Sequence, residues 1–229
     1  MADDRDTIIE KGVEAALELA ETRPWSTVTL SDIAAAAGLT LNDFHAIASV
    51  ESLAEAAERT FDRAMSGEGI DPEETPRERL FDVIMLRFEA MEERRAGVLS
   101  LQQYREQSPV RLARHLAARK ASADWALVSA GLDGADQSVP RDIRSVAVAY
   151  AMTQAERAWR KETDPGFART MSKLDEELRK LEDGAGRFSR FTGRRRRSSN
   201  SPETAPWSDE PPASGEGPAE AEPAPQGQA

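Results

Sequence analysis

The feature that most constrains this chain is a helix-start pattern written twice in close succession over residues 28–44, with one glycine between the copies. Val28-Thr29-Leu30-Ser31-Asp32-Ile33 places an apolar residue, a threonine, an acid three positions on, and an apolar residue again. Thr29 is the natural N-cap, Asp32 can return the bond to its backbone N–H, and Val28 and Ile33 stand where a hydrophobic staple closes. Leu39-Thr40-Leu41-Asn42-Asp43-Phe44 repeats the device. Gly38 offers the left-handed conformation that ends a helix. Two helix starts flanking a glycine make a tight corner, and residues 30–49 read as a helix-turn-helix. Ile33, Ala37, Leu39, Phe44 and Ile47 supply its inward face, and Ala34 is small enough for a close helix crossing.

The rest of the chain continues the helical reading. Residues 3–22 carry Ile8, Ile9, Val13, Ala16, Leu17 and Ala20 at the i, i+3, i+4 spacing, and Pro24-Trp25 break the stripe. Trp25 reads as an anchor of the three-helix core. A fourth helix is predicted over 50–65, and the Gly- and Pro-containing stretch 66–72 is the first linker. Helices are then predicted at 77–94, 98–104, 110–130, 141–160 and 168–181, separated by Ser108-Pro109, Gly131 to Pro140, and Asp164-Pro165-Gly166. No alternation of period two is long enough for a strand. The predicted fold class is all-α: a helix-turn-helix domain over 1–66, a helical bundle over 67–183, and a tail over 184–229. The tail holds seven prolines between 202 and 225 and almost no aliphatic residue. It is expected to be disordered, because it buries too little apolar surface to offset its ordering entropy.

Composition excludes several classes. The chain has 229 residues, no cysteine and two histidines, His45 and His115, which fall in different predicted domains. No disulfide framework, Cys-based metal site, His/Glu zinc spacing or phosphate-binding glycine motif can be drawn, so no enzyme, metal or cofactor is expected. There is neither a secretory signal pattern nor an apolar run long enough to span a membrane, and a cytoplasmic location is expected. The net charge of −11 argues against broad nucleic-acid affinity.

The stretch 28–49 resembles the DNA-binding motif of the TetR family of transcriptional regulators, in its apolar spacing, Ala34, Gly38 and the T-L-S-D-I-A opening. In that family the second helix enters the major groove. The family usually follows it with Tyr-x-x-Phe and a lysine that reaches phosphate; here the run is His45-Ala46-Ile47-Ala48-Ser49-Val50-Glu51, and the lysine position holds Glu51 or Val50. The resemblance implies a DNA interface of Ser31, Thr40, Leu41, Asn42 and His45, with Asn42 the candidate for an adenine edge. Residues 27–55 contain no Lys or Arg, so any binding is expected to be weak or to borrow charge from Arg23, Arg59, Arg63 or the four arginines at 194–197.

The segments 79–91 and 159–178 are similar to those of an alphaproteobacterial branch of TetR-type proteins whose second domain is similar to the lipid-binding accessory protein of ubiquinone biosynthesis. That resemblance implies a homodimer through the helices at 141–162 and 166–182, with Val146, Tyr150, Met171, Leu174 and Leu178 as interface candidates. It also implies an apolar or lipid ligand, for which Phe81, Ile84, Met85, Phe88, Met91, Leu99 and Trp125 are candidate lining residues. The alternative reading is an accessory protein that binds lipid or quinone and not DNA.

Overall fold

The structure is a computed structural model that describes residues 2–67, 69–134 and 139–198, with side chains described for 4–67, 69–134 and 139–187. Among these residues every regular element is helical. The helices are α1 (Ala2–Thr22), α2 (Leu30–Ala36), α3 (Leu41–Phe44), α4 (Val50–Ala64), α5 (Pro76–Glu92), α6 (Arg95–Glu106), α7 (Pro109–Ser129), α8 (Arg141–Trp159) and α9 (Ala168–Ser198), with a 3-10 turn at Trp25–Thr27.

The helices α2 to α5 start as their sequences dictate. Thr29 and Thr40 form complete capping boxes with Asp32 and Asp43. Ser49 does the same for α4 with Ser52, and Thr75 for α5 with Glu78. Gly38 sits at φ +65°, the left-handed turn between α2 and α3. Phe44, 1% exposed, plugs the corner against α1. A Cβ on Gly12 would meet the Phe44 ring at 2.8 Å, so the missing side chain is what admits it. Trp25 is buried as expected, its ring tilted against Tyr104 with centroids 6.4 Å apart. Its backbone N–H donates to Ser100 Oγ at 2.8 Å.

Helices α5 to α9 pack on one another beyond α4. Their join to the head is a helix crossing the sequence did not advertise: α1 lies on α6 so closely that a Cβ on Gly97 would stand 2.2 Å from the Leu17 carbonyl oxygen. α4 lies between the two parts and packs against α1 on one side and α5 and α7 on the other. α8 and α9 form a hairpin whose turn is organised by Glu162, which accepts backbone N–H bonds from Thr163, Asp164 and Thr170 at 3.1, 3.2 and 2.9 Å. Partial burial opposes ionisation there, but these donors prevail and hold the Glu162 carboxyl at about 2.

Two boundaries differ from the sequence reading. α3 is a single turn, because Ala46 at φ +60° breaks the helix where the stripe suggested continuation. α9 does not stop near Leu181: it runs to Ser198, through Gly184 and the arginines at 194–197, where the tail was expected to begin. Helical residues 180–187 are followed in sequence by arginines, which suit a helix C-terminus. The remainder of the expected disordered tail, 199–229, lies outside the described residues.

Candidate nucleic-acid interface, buried ion network and cleft

The head presents a neutral outer face built on an acidic body. Ser31, Thr40, Leu41, Asn42 and His45 are all solvent-exposed, Leu41 at 53%. Leu41 and Asn42 of α3 and His45 at its C-cap are open to solvent, while Phe44 turns into the core. Asp43 does not project toward a ligand. Its carboxylate folds back on the N-cap, accepting from Thr40 N at 2.7 Å and Thr40 Oγ1 at 2.8 Å, and these bonds hold its pKa below the usual carboxylate value. Asp32 is held likewise by Thr29 and also pairs with Arg23 at 3.0 Å. Arg63 pairs with Glu10 and Arg114 with Glu55. Residues 1–66 carry thirteen acidic against five basic side chains, and of Arg23, Arg59 and Arg63 the first and last are already neutralised. Arg59 is exposed on α4. Glu51 lies in the first turn of α4, where a negative charge suits the helix dipole.

Behind the head lies a cluster that the apolar stripes concealed. Glu58 of α4 is 3% exposed and is met by Arg105 of α6 at 2.6 Å, by Arg87 of α5, and by Arg119 of α7 at 3.8 Å. Arg87 also pairs with Asp62, one turn further along α4, which accepts from Ser122 Oγ at 2.8 Å. Arg119 pairs with Glu156 of α8, whose other oxygen accepts from Gln102 Nε2 at 2.8 Å. Three guanidiniums thus face three carboxylates, and α4 is tied through them to every helix from α5 to α8. Burial alone would raise the Glu58 carboxyl; Arg105, Arg87 and Arg119 outweigh it and hold the group well below its ordinary value. A signal was present in the sequence. Glu58 stands on the same stripe as Ala54, Phe61 and Met65, and Arg87 on that of Leu80, Ile84 and Met91, so a charge at a core phase of each helix foretold a partner.

The residues expected to line a ligand site are not gathered around one cavity. Ile84, Phe88 and Met91 are core, with exposures of 0, 0 and 1%; Met85 is buried, Leu99 and Phe81 are half-buried, and Trp125 is 43% exposed on α7. An aliphatic cleft of about 460 Å³ opens elsewhere, where α5 begins, α7 ends, α8 begins and α9 passes over. Leu80, Leu127, Leu132, Val148 and Leu178 line its interior, and none of the seven expected residues borders it. The interface candidates divide. Val146, Tyr150 and Met171 are 58, 57 and 41% exposed and, with Ile143, form an outward apolar stripe on the α8–α9 hairpin; Leu174 and Leu178 are buried inside the protomer and face its own core.

No family model matches the sequence, and no curated protein matches it. Solved structures do resemble it in fold. A TetR transcriptional regulator from Nitrosomonas europaea ATCC 19718 superposes with a TM-score of 0.60 at 18% identity, covering 74% of this chain and 95% of its own. One from Rhodococcus sp. RHA1 gives 0.57 at 18%, covering 77% and 95%. A tetR-family regulator from Streptomyces coelicolor gives 0.52 at 20%, covering 88% and 92%. Likeness at this identity establishes a shared all-helical fold, with the helix-turn-helix at its N-terminal end. No helix of the described residues is long and apolar enough to cross a membrane.

Proposed function

We propose, from that fold, that this chain is a dimeric transcriptional regulator whose α2–α3 corner reads DNA through neutral contacts and whose larger domain controls the spacing of two such heads. The observation that supports this most is the construction of α4. Its first turn braces the head, and its middle is locked by Glu58 and Asp62 into α5, α6 and α7. A movement in the larger domain therefore has a stiff route to the head, through ion pairs with discrete partners rather than a deformable apolar contact. The exposed stripe of Ile143, Val146, Tyr150 and Met171 supports pairing through the α8–α9 hairpin, since a run of large apolar side chains this open is stabilised by being covered.

Base contact falls to Asn42, with Thr40, Ser31 and His45 beside it and Leu41 against a thymine methyl. With so few free cations on the head, the phosphate part of the binding is small. Selection of genomic fragments on the full chain, followed by titration of the enriched duplex, should give sequence-selective binding with a shallow salt slope: a weakening of roughly 3- to 12-fold between about 50 and 200 mM salt, as one or two phosphate contacts dictate. Replacing the four arginines at 194–197 by alanine is expected to remove much of what slope there is. The absence of Lys and Arg from residues 27–55 favours one second reading, an accessory protein in which the head is purely structural. Enrichment of no fragment at any salt, together with lipid copurifying with the chain, would establish it instead.

A further inference from the structure

We infer that the cleft between α5, α7, α8 and α9 is a binding site for a monoanionic aliphatic amphiphile, a carboxylate with an alkyl body, whose headgroup is held by Arg144. The regulator reading gives this site its consequence, as an effector site, but the binding itself stands on the cleft.

The walls decide the body of the ligand. The described lining holds leucine, isoleucine, valine, alanine and proline side chains and not one aromatic ring. A planar aromatic ligand would find nothing to stack on, whereas a flexible alkyl chain is matched by aliphatic walls on all four helices. Nor does the lining offer a hydroxyl, amide or imidazole, so a sugar, nucleoside or peptide would bury polar groups without partners. About 460 Å³ lies within the range of small-molecule pockets.

The charges decide the head. Four charged residues border the cleft. Arg77 is neutralised by Asp175 and by Glu182, the latter at 3.3 Å. Lys180 is neutralised by Glu176 at 2.6 Å and Glu177 at 3.0 Å. Arg144 is different. Its guanidinium donates to the backbone carbonyls of Leu132 and Gly134, which hold it in place without cancelling its charge, and no described carboxylate pairs with it. Its Nε is buried without an acceptor among the described residues. A guanidinium carries five N–H donors, and two are spent on those carbonyls. What remains is one fixed positive charge with spare donors beside an aliphatic cavity, the complement of a single carboxylate on an alkyl chain. A dianionic head would leave a charge unmatched, and a cationic one would be repelled.

Calorimetric titration of the full chain, without DNA, tests this with three ligands of one chain length kept below micelle formation: dodecanoate, dodecanol and dodecyltrimethylammonium. Dodecanoate should bind roughly tenfold or more tighter than the other two, the worth of one charge-assisted bond. Arg144→Gln, which keeps a donor for the Leu132 carbonyl, should bring dodecanoate to the level of dodecanol, and Arg144→Lys should restore part of the preference. Ala185→Trp, which fills the cleft from its α9 side, should weaken both dodecanoate and dodecanol by more than about tenfold. Melting curves show which variants fold, and either Arg144→Gln or Ala185→Trp alone is decisive. Binding of the ammonium as tight as the carboxylate, a carboxylate preference that survives Arg144→Gln, or indifference to Ala185→Trp overturns the site. A chain that binds dodecanoate but no DNA keeps the site and loses the regulator; one that binds DNA but no amphiphile does the reverse.

Discussion

The two ends of α4 treat charge in opposite ways. At its N-terminal end, next to the candidate reading surface, Glu51 and Glu55 are exposed acids, and the cations that would attract phosphate are few or already paired. A turn or two further on, Glu58 and Asp62 are enclosed by Arg87, Arg105 and Arg119 in the protein interior. The chain thus places arginines where they fix one helix against four others, and leaves its outward corner nearly neutral. Buried pairs add little net stability over a well-packed apolar core, yet breaking one is costly because the remaining charge is stranded. The network therefore specifies how α4 sits more than it strengthens the fold.

The largest expected effect follows from stranding charge. Glu58→Ala leaves the Arg105, Arg87 and Arg119 guanidiniums short of a partner and should cost about 3–5 kcal/mol in urea unfolding. A loss under about 1 kcal/mol would show the network to be open to water and the contrast along α4 to be empty. The same carboxyl sets the acid limb. Its folded pKa lies well below the unfolded value near 4.5, so its contribution is complete above that value and is lost progressively as pH falls beneath it. The acid limb should be shallower in Glu58→Gln than in the parent chain.

Gly97→Ala comes next. It forces a methyl into the Leu17 carbonyl across the α1–α6 crossing and should destabilise by about 3 kcal/mol. Retention of the parent melting temperature would mean that α1 can lift off α6, and that the head is held by α4 alone.

A substitution at the other end of α4 sharpens the contrast from the DNA side. Glu51→Lys replaces an exposed acid beside the candidate reading surface by a cation and, on the proposed function, should tighten DNA binding about tenfold at low salt, with a steeper salt slope. Helix-dipole repulsion should lower stability by less than about 1 kcal/mol. Unchanged affinity and slope, measured by anisotropy, would separate this surface from DNA. The smallest effect belongs to Ala46, which adopts a left-handed conformation without being glycine. Ala46→Gly should stabilise the free chain by about 1 kcal/mol. A destabilisation instead would indicate that α3 is longer in solution than its single turn.

Much of the head was legible in the chain because its determinants are local. Thr29 with Asp32 and Thr40 with Asp43 are capping boxes at fixed separations, and Gly38 stands where only a residue tolerant of positive φ is comfortable. The exposure of Ser31, Thr40, Leu41, Asn42 and His45 was equally legible, since they are what such a corner leaves outside once Ile33, Ala34 and Phe44 turn in. The break at Ala46 was not, because alanine favours helix and nothing in its neighbours signals a left-handed residue. The expected interface residues divided for a related reason: Met171 and Leu174 belong to one apolar stripe, and periodicity does not say which edge of a wide stripe meets the protomer's own core and which is left outside.

By itself the sequence determined the helices and the corner, because hydrophobic period, caps and turn residues act over a few positions of chain. Tertiary structure alone decided which charges would be buried together, where the cleft opens and how closely α1 may approach α6. Glu58 meets Arg105 across 47 positions of chain, Arg119 meets Glu156 across 37, and Gly97 makes room for a carbonyl 80 residues earlier. A charge on an apolar stripe announces that it needs a partner, but only the packing of whole helices chooses which one arrives.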